Sequence, residues 1–240
     1  MSAAVVAEAV LARVMERARA QADPTRAAGE QAYLKSALTF YGLSLPQVRV
    51  IAREIEPMVA ADPLRPVVER LWAQPVHEPR AVAVVLLERR ARDLTPADLP
   101  WLEQILRDCH TWAYVDAIAV HAVGAIVDRH PQAAEVLDRW ITDSDLWIRR
   151  SALLALLLPL RQGRGDPARF FRYAQGCLAD NEFFIRKAVG WVLRDMGKKR
   201  PAEVEAFVRA HHAQMSGLTF REAIRSQPVQ VQEALRALRG

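Results

Sequence analysis

Cysteine is scarce in this sequence, whose 240 residues include only Cys109 and Cys177. Neither belongs to a Cys-x-x-Cys pair or stands at metal-ligand spacing from a histidine, so a disulfide framework and a structural zinc site are excluded. We interpret both residues as reduced thiols of the core, which predicts a cytoplasmic protein. The six histidines, including the neighbours His211 and His212, also lack metal-ligand spacing. No metal ion is therefore expected.

Long apolar runs are missing too. The longest extends over nine residues, from Ala152 to Leu160, whereas a helix that crosses a bilayer needs about 20. The segment after Met1 is rich in alanine, valine and arginine, but Glu8 and Glu16 interrupt it, which favours a surface helix over a targeting signal. Walker, Rossmann and nucleophile-elbow motifs do not occur. The sequence thus predicts a protein that neither spans a membrane nor uses a cofactor.

The period-two alternation of β-strands is absent as well, which predicts an all-α fold. Apolar residues at helical spacing mark the helices instead, beginning with Val6, Val10 and Val14. Gly42 is expected to turn the chain between two helices. Further helix starts are indicated by a proline or a capping residue at Pro46, at Asp62 with Pro63, at Thr95 with Asp98, and at Thr219 with Glu222.

Two stretches are copies of each other at an offset of 37 residues, DSDLWIRRSALL from Asp143 and DNEFFIRKAVGW from Asp180. In each copy an aspartate that is expected to cap a helix precedes an aromatic residue, an isoleucine and two cations. A period of about 20 to 50 residues is typical of solenoids, in which each unit buries its apolar face against its neighbours. The sequence therefore predicts a superhelical solenoid of HEAT-like helical repeats, with residues 1–240 forming one domain.

The same frame extends toward the N-terminus and gives one equivalent position per repeat. Steps of 37, 34, 36 and 31 residues connect the members of this set, which we call the cationic row: Lys187, Arg150, Asp116, Arg80 and Arg49. Stacked repeats align equivalent positions, so four cations and one acid are expected to line a concave groove. Trp112 and Trp191 lie one helical turn from members of the row, on the same face. The groove is thus predicted to be basic and flanked by tryptophan.

The charge of the chain favours an anionic partner. There are 33 lysine and arginine residues against 28 aspartate and glutamate residues, a formal net charge of +5. Lys198 and Lys199 form a basic run beyond Trp191 and are predicted to contact phosphate, although cations also suit the C-terminus of a helix. Arg149 and Arg186 are expected to be solvated or to connect repeats.

Four stretches together resemble the AlkD family of alkylpurine DNA glycosylases: YLKSALTFYGL from Tyr33, TWAYVD from Thr111, DLWIRRSALL from Asp145 and EFFIRKAVGWVLRDMGK from Glu182. The resemblance extends from Tyr33 to the C-terminal helix. It implies a catalytic constellation of Trp112, Asp116 and Trp191. It also implies that Arg150 belongs to this constellation and that Tyr33 contacts DNA. Carried over by motif, these residues predict a DNA glycosylase.

The implied substrate is double-stranded DNA that contains a purine alkylated at N3 or N7. Such a base is already cationic and leaves without being protonated, so one carboxylate is enough where glycosidases typically use two. Asp116 would stabilise the oxocarbenium-like sugar and orient or deprotonate the attacking water. Arg150 would grip a phosphate and keep Asp116 ionised. The resemblance further implies action without a base-flipping pocket, and we expect a monomer associated with the nucleoid.

Two other classes of protein fit the same residues. One is a non-catalytic HEAT-repeat protein that binds damaged or branched DNA, which the presence of Asp116 disfavours. The other is a HEAT scaffold that binds a protein. Taken singly, Asp116 would be interpreted as a buried acid paired with an arginine, and Trp112 and Trp191 as core residues. The sequence leaves the preferred adduct open among N3-methyladenine, N7-methylguanine and bulky adducts, and it leaves open general repair or self-resistance.

Overall fold

The computed structural model describes residues 2–59 and 64–239, which form two compact units divided in the sequence between Leu94 and Thr95. Within these ranges the regular elements are helices, apart from an isolated bridge between Thr39 and Val76. The all-α fold predicted from the sequence is confirmed. None of the helices described is long and apolar enough to cross a bilayer. A single domain over residues 1–240 stays a prediction.

The helices of the N-terminal unit are α1 (Ala3–Ala20), α2 (Pro24–Leu34), α3 (Leu45–Val59), α4 (Leu64–Trp72) and α5 (His77–Arg89). α1 and α5 each pack against both α3 and α4. Val10 and Val14 of α1 are fully buried, on the face that the sequence pattern predicted. Pro46 is the second residue of α3. The helix start predicted at Asp62 and Pro63 lies outside the described residues.

The chain turns between α2 and α3 at Gly42, as predicted. Gly42 has a φ of +85°, and a Cβ there would lie 2.2 Å from the carbonyl oxygen of Asp23, so only glycine fits. Glu78, fully buried in the first turn of α5, holds this turn in place. Its Oε1 accepts hydrogen bonds from the backbone N–H groups of Tyr41 and Gly42, at 2.9 and 2.8 Å. The carboxylate therefore ties the turn to α5.

The helices of the C-terminal unit are α6 (Leu99–Arg107), α7 (Trp112–Ala117), α8 (Gly124–Arg129), α9 (Glu135–Trp140), α10 (Leu146–Leu154), α11 (Leu157–Arg161), α12 (Pro167–Gly176), α13 (Phe183–Gly197), α14 (Pro201–His211), α15 (Gly217–Ile224) and α16 (Val229–Ala237). The capping box of Thr95 with Asp98 is confirmed, in a short 3₁₀ turn before α6. α10 packs against both α7 and α13, and α13 packs against α15. Successive repeats thus place α7, α10 and α13 side by side.

The two sequence copies have the same local structure. Asp143 and Asp180 each accept a hydrogen bond from the backbone N–H two residues further on, at 2.8 Å in both copies. The prediction that they cap the helices is wrong, because each instead closes an Asx turn before the helix. The cap of α10 is Asp145, which accepts from the N–H of Trp147 at 2.7 Å.

Polar contacts between successive repeats involve residues that the sequence only partly identified. Nη2 of Arg149 lies 3.3 Å from Oδ2 of Asp180 in the next copy. This ion pair confirms that Arg149 connects two repeats. Thr219 does not start α15 as predicted, because Ser216 accepts the capping hydrogen bond instead. Thr219 is buried, and its hydroxyl donates to the carbonyl oxygen of Arg186 at 3.1 Å. The hydroxyl therefore connects α15 to α13.

A π-helical segment, Ile118–Val123, connects α7 to α8. A π turn takes more residues than an α turn, and such turns occur frequently at functional sites. Gly124 follows this segment and lies against the connection between α10 and α11. A Cβ on Gly124 would lie 2.7 Å from the carbonyl oxygen of Ala155. The backbone after Asp116 therefore runs close to the next repeat.

The two cysteines are free and buried, as the sequence predicted. Burial raises the pKa of Cys177 to about 11. The thiol therefore stays protonated at neutral pH and is a poor nucleophile. Both residues are part of the core of the C-terminal unit.

Arg107 should stabilise the C-terminal unit in a pH-dependent way. It donates two hydrogen bonds to Asp143, of 3.1 and 2.6 Å, and these lower the pKa of Asp143 although burial opposes the change. A pKa that is lower in the folded state stabilises the protein above the unfolded-state value of about 4, and this stabilisation is lost as the pH falls through the folded-state value. Arg107→Gln should therefore destabilise the protein near pH 7 but much less near pH 2.

Thermal unfolding of this variant and of wild type across that pH range measures the effect. Arg209→Gln, which removes a pair with Glu205 in α14, is the control for loss of an arginine. An equal loss of stability at both ends of the range would show that Arg107 acts by packing and not through the carboxylate.

Candidate active site

Asp116 and Arg150, neighbours in the cationic row, are bonded to each other. Asp116 lies in α7 and Arg150 in α10, and the guanidinium donates from Nε to Oδ1 and from Nη2 to Oδ2, both at 2.7 Å. The side chain of Asp116 is 18% exposed and that of Arg150 is 2% exposed. Such a bidentate pair fixes the plane of the carboxylate. Asp116 is therefore held rigidly with part of its side chain at the surface.

Arg150 is also held from the opposite side. Its Nη1 donates to the carbonyl oxygen of Phe184 in α13, and its guanidinium carbon lies 5.7 Å from the centre of the Phe184 ring. A phosphate contact, as predicted from the sequence, would require this buried side chain to leave both partners. In this structure Arg150 positions Asp116.

The pair with Arg150 leaves part of the Asp116 carboxylate available. A carboxylate offers about four acceptor positions, and Arg150 occupies one on each oxygen of Asp116. The other lone pairs can accept from a water molecule. The same pair would also form if Asp116 were a structural residue, an acid whose charge is compensated by an arginine.

Trp112 and Trp191 are both half-buried, so neither is a fully buried core residue. Trp112 is the first residue of α7, one turn before Asp116 on the same face. Trp191 lies in α13, seven residues beyond Phe184, which is about 10 Å along the helix axis. Its indole Nε1 donates to Oδ2 of Asp195 at 3.2 Å. Each tryptophan therefore lies on a helix that contacts the Asp116–Arg150 pair or contributes to it.

Asp195 was not identified from the sequence. It is a buried carboxylate one turn beyond Trp191, and it accepts hydrogen bonds from Nε of Arg161 and Nζ of Lys198, both at 2.8 Å. Burial opposes its ionisation, but the hydrogen bonds from Lys198 and Arg161 outweigh burial and hold its pKa below the usual range. The signal that could have identified it is its i+4 spacing from a candidate catalytic tryptophan.

The other predicted phosphate contacts of the C-terminal unit differ in their surroundings. Lys187 is exposed, and its Nζ lies 5.7 Å from the centre of the Phe183 ring. Lys199 is exposed as well, whereas Lys198 is bonded to Asp195. In the described part of the chain neither Lys187 nor Lys199 forms an ion pair. These two lysines are therefore the better candidates for phosphate contact.

The predicted DNA contacts of the N-terminal unit are Tyr33, Arg49 and Arg80. Tyr33 is 72% exposed at the end of α2, and Arg49 is 53% exposed and lies 3.7 Å from Glu88. Arg80 is directed toward its own repeat. Its Nε donates to the carbonyl oxygen of Gln74 at 3.0 Å, and its guanidinium carbon lies 4.9 Å from the centre of the Trp72 ring.

Arg49 lines a surface groove of the N-terminal unit. The other residues that line it are Leu45, Pro46, Val50, Arg53, Val85, Glu88 and Arg89. Arg53 was not identified from the sequence, although it stands one helical turn beyond Arg49. Of the two arginines predicted for this unit, Arg49 is therefore the one that remains available at the surface.

No metal-binding cluster accompanies these residues. Within residues 2–59 and 64–239, no group of three histidine, cysteine, aspartate or glutamate side chains is arranged to hold a metal ion. The chemical groups that this site presents are one part-exposed carboxylate, its arginine, two half-buried indoles and exposed lysines. Such groups can stabilise a cationic sugar and bind an anionic strand.

Several solved structures have a fold similar to that of this chain. A predicted DNA alkylation repair enzyme from Enterococcus faecalis has a TM-score of 0.77 and 23% identity, covering 87% of this chain and 98% of that one. AlkD2 from Streptococcus mutans has a TM-score of 0.60 and 18% identity, covering 76% and 90%. The alkylpurine DNA glycosylase AlkC from Pseudomonas fluorescens, bound to DNA containing an abasic site analogue, has a TM-score of 0.51 and 14% identity, covering 97% and 66%.

At these identities the likeness shows the fold. Among curated proteins no match is found. A family model described as DNA alkylation repair enzyme matches residues 14–226. This range contains α2 to α15 and every member of the cationic row, so the match concerns the whole arrangement of repeats and not a short motif. The chain therefore belongs to the DNA alkylation repair enzyme family.

Proposed function

We propose that this protein is a DNA glycosylase that hydrolyses the N-glycosidic bond of N3- or N7-alkylated purines in double-stranded DNA. Asp116 is the catalytic carboxylate, with Trp112 and Trp191 beside the sugar. The protein acts as a cytoplasmic, nucleoid-associated monomer. The observation on which the proposal rests is the bidentate pair of Asp116 with Arg150, one turn from Trp112, in a chain of the DNA alkylation repair enzyme family.

The reaction follows from the charge of the substrate. The bond between C1′ and the purine nitrogen breaks, and its electron pair neutralises the cationic base, which leaves as a neutral alkylpurine. The sugar becomes oxocarbenium-like, and the negative charge of Asp116 stabilises it. Water then attacks C1′ and gives up a proton to Asp116 or to solvent. Because no general acid is needed, one carboxylate is sufficient for both steps.

The arrangement of Asp116 also supports action at the sugar rather than on an extruded base. Arg150 holds the carboxylate from the inside, and an indole lies one turn away, so the groups available are suited to a sugar and its neighbouring phosphates. Release of a bulky N7 adduct at a rate similar to that of N7-methylguanine is expected, because no pocket would have to enclose the base. A strong preference for the methyl adduct would contradict this part of the proposal.

Single-turnover base release from duplexes that each contain one N7-methylguanine tests the function directly. Wild-type protein in excess over DNA should release the free base at a rate above that of the same duplex without protein. Tight binding to the duplex with no release above that background would favour a non-catalytic DNA-binding protein. Such a non-catalytic protein is expected if the positive charge of Arg150 fully compensates the negative charge of Asp116.

DNA binding should depend on salt through the exposed lysines. Counterion release gives a slope of log affinity against log salt of about −0.9 per neutralised phosphate. Lys187→Ala and Lys199→Ala should each flatten this slope by about one unit and weaken binding to all sequences. Arg150→Ala should leave the slope unchanged, because Arg150 is buried. Binding measured by fluorescence anisotropy at several salt concentrations checks these expectations.

Arg209→Ala in α14, for which no DNA contact is expected, is the control for loss of one positive charge. A flatter slope for Arg150→Ala together with an unchanged slope for Lys187→Ala would contradict this expectation. It would show that Arg150 contacts phosphate, as the sequence predicted, and that Lys187 does not.

A further inference from the structure

We propose that Asp195 is a positioning residue that fixes the indole plane of Trp191 against the sugar beside the damaged base. This inference rests on the proposed glycosylase function. It concerns a residue that is not a member of the cationic row and that does not touch the substrate itself.

The spacing along α13 places the three residues concerned on one face. Trp191, Asp195 and Lys198 stand at positions i, i+4 and i+7, so their side chains lie above one another. Oδ2 of Asp195 accepts from the indole Nε1 of Trp191 at 3.2 Å, and Oδ1 accepts from Nζ of Lys198 at 2.8 Å. One carboxylate therefore joins the candidate catalytic indole to a candidate phosphate contact.

The carboxylate is itself held in place. Asp195 is 2% exposed, and Arg161 of α11 donates to Oδ2 from Nε at 2.8 Å and also from Nη2. An ionised acid at such a position is retained only with hydrogen bonds that replace its hydration. Arg161 thus links α11 to the buried carboxylate, and the hydrogen bond from the indole of Trp191 is a separate contact.

The backbone that carries Trp191 is equally restricted. A Cβ on the neighbouring Gly190 would lie 2.6 Å from Cβ of Glu222, so α13 packs closely on α15 at this point. With the helix fixed, the freedom that remains for Trp191 is rotation about its two side-chain torsions. The bond to Asp195 removes this freedom, because the indole N–H can meet Oδ2 in few orientations.

A structural role is the alternative, in which Asp195 merely pairs α11 with α13. The two roles can be tested separately because they involve different partners of Asp195: Arg161 in the structural role and Trp191 in the positioning role. Arg161→Met removes the link between the helices and leaves the bond from the indole. Asp195→Ala removes both, and Asp195→Asn keeps an acceptor for the indole but lacks the charge. Trp191→Phe keeps an aromatic ring and removes only the donor.

The test measures the single-turnover rate of N7-methylguanine release at saturating protein, together with DNA affinity and thermal unfolding. Asp195→Ala should lower the rate by about 10-fold, since small misplacement of a site residue has effects of this order or larger. DNA affinity should change by less than about 3-fold. Asp195→Asn should recover most of the rate. Arg161→Met should lower the unfolding temperature and leave the rate at the wild-type value.

A double-mutant cycle shows whether Asp195 acts through the indole. In the Trp191→Phe background, Asp195→Ala should cause no further loss of rate. An equal loss in both backgrounds would overturn the proposal. So would a loss in Arg161→Met as large as that in Asp195→Ala.

A measurement on the wild-type protein covers the case in which Asp195→Ala does not fold. The indole N–H resonance of Trp191, assigned by its absence in Trp191→Phe, should exchange slowly with solvent. Exchange as fast as in a free indole would overturn the proposal. An active wild type with full activity in Asp195→Ala would overturn this inference alone, whereas a wild type that releases no alkylated base would overturn the proposed function and, with it, the inference.

Discussion

Asp116→Asn should lower the single-turnover rate of alkylpurine release by about 10²-fold or more, the scale of removing one key electrostatic stabiliser. The proposed substrate is already cationic and its base leaves unaided, so under the proposed function the negative charge of Asp116 is the main contribution that the protein can make. DNA affinity should stay within a few-fold of wild type, because the neutral side chain has nearly the same shape and the exposed lysines are untouched. The folded structure should be retained.

The side-chain amide will change the contact with Arg150. The carboxylate accepts one hydrogen bond on each oxygen, whereas the Asp116→Asn variant has one oxygen and one NH₂ group, which is a donor facing a donor. Some loss of stability is therefore expected. Unfolding must be measured alongside the rate, so that the chemical effect is compared only under conditions in which both proteins are folded.

Asp128→Asn is a matched control for this experiment. Asp128, in the same unit, also accepts two hydrogen bonds from one arginine, from Nη1 and Nη2 of Arg164 at 2.8 and 2.9 Å. It has no predicted role in the site, so its substitution should leave base release unchanged. If Asp116→Asn released N7-methylguanine at nearly the wild-type rate, Asp116 would not be the catalytic group and the assignment would fail.

The helical repeats and part of the site were predictable because both follow from a regular spacing of residues in the sequence. Apolar spacing fixed the buried face of α1, and the offset of 37 between the two copies placed Arg150 and Lys187 at equivalent positions. Extending that frame to Asp116 identified a pair of residues that the structure shows in direct contact. Sequence period identifies such contacts because stacked repeats bring equivalent positions together.

Features that depend on local geometry were not predictable in the same way. A capping aspartate and an aspartate that closes an Asx turn have the same residue type, so Asp143 was assigned to the helix start two residues too early. The π turn after Asp116 leaves no compositional mark. Nothing in the sequence distinguishes a buried arginine from an exposed one at the same register, and Arg150 was therefore expected to bind phosphate. Its burial follows from the Phe184 carbonyl oxygen of the next repeat.

Arg150→Ala should be strongly destabilising, by about 3 to 5 kcal/mol, the cost of removing one partner of a buried ion pair. The guanidinium is 2% exposed, and its loss leaves Asp116 without its partner and a cavity beside Phe184. Base release should fall as well, because the carboxylate loses the bonds that fix its plane. Arg164→Ala, which breaks the exposed pair with Asp128, should leave the free energy of unfolding nearly unchanged.

The cycle of Arg150→Ala with Asp116→Asn separates pairing from packing. If Arg150 acts mainly on the charge of Asp116, then Asp116→Asn in the Arg150→Ala background removes an uncompensated carboxylate and should restore stability relative to Arg150→Ala alone. The coupling free energy from chemical denaturation should be about 1 to 3 kcal/mol, the range for residues in direct contact. Additive losses would mean that Arg150 stabilises the repeats through Phe184 and its own packing, and that Asp116 is held at the surface by the backbone of α7 without help from the arginine.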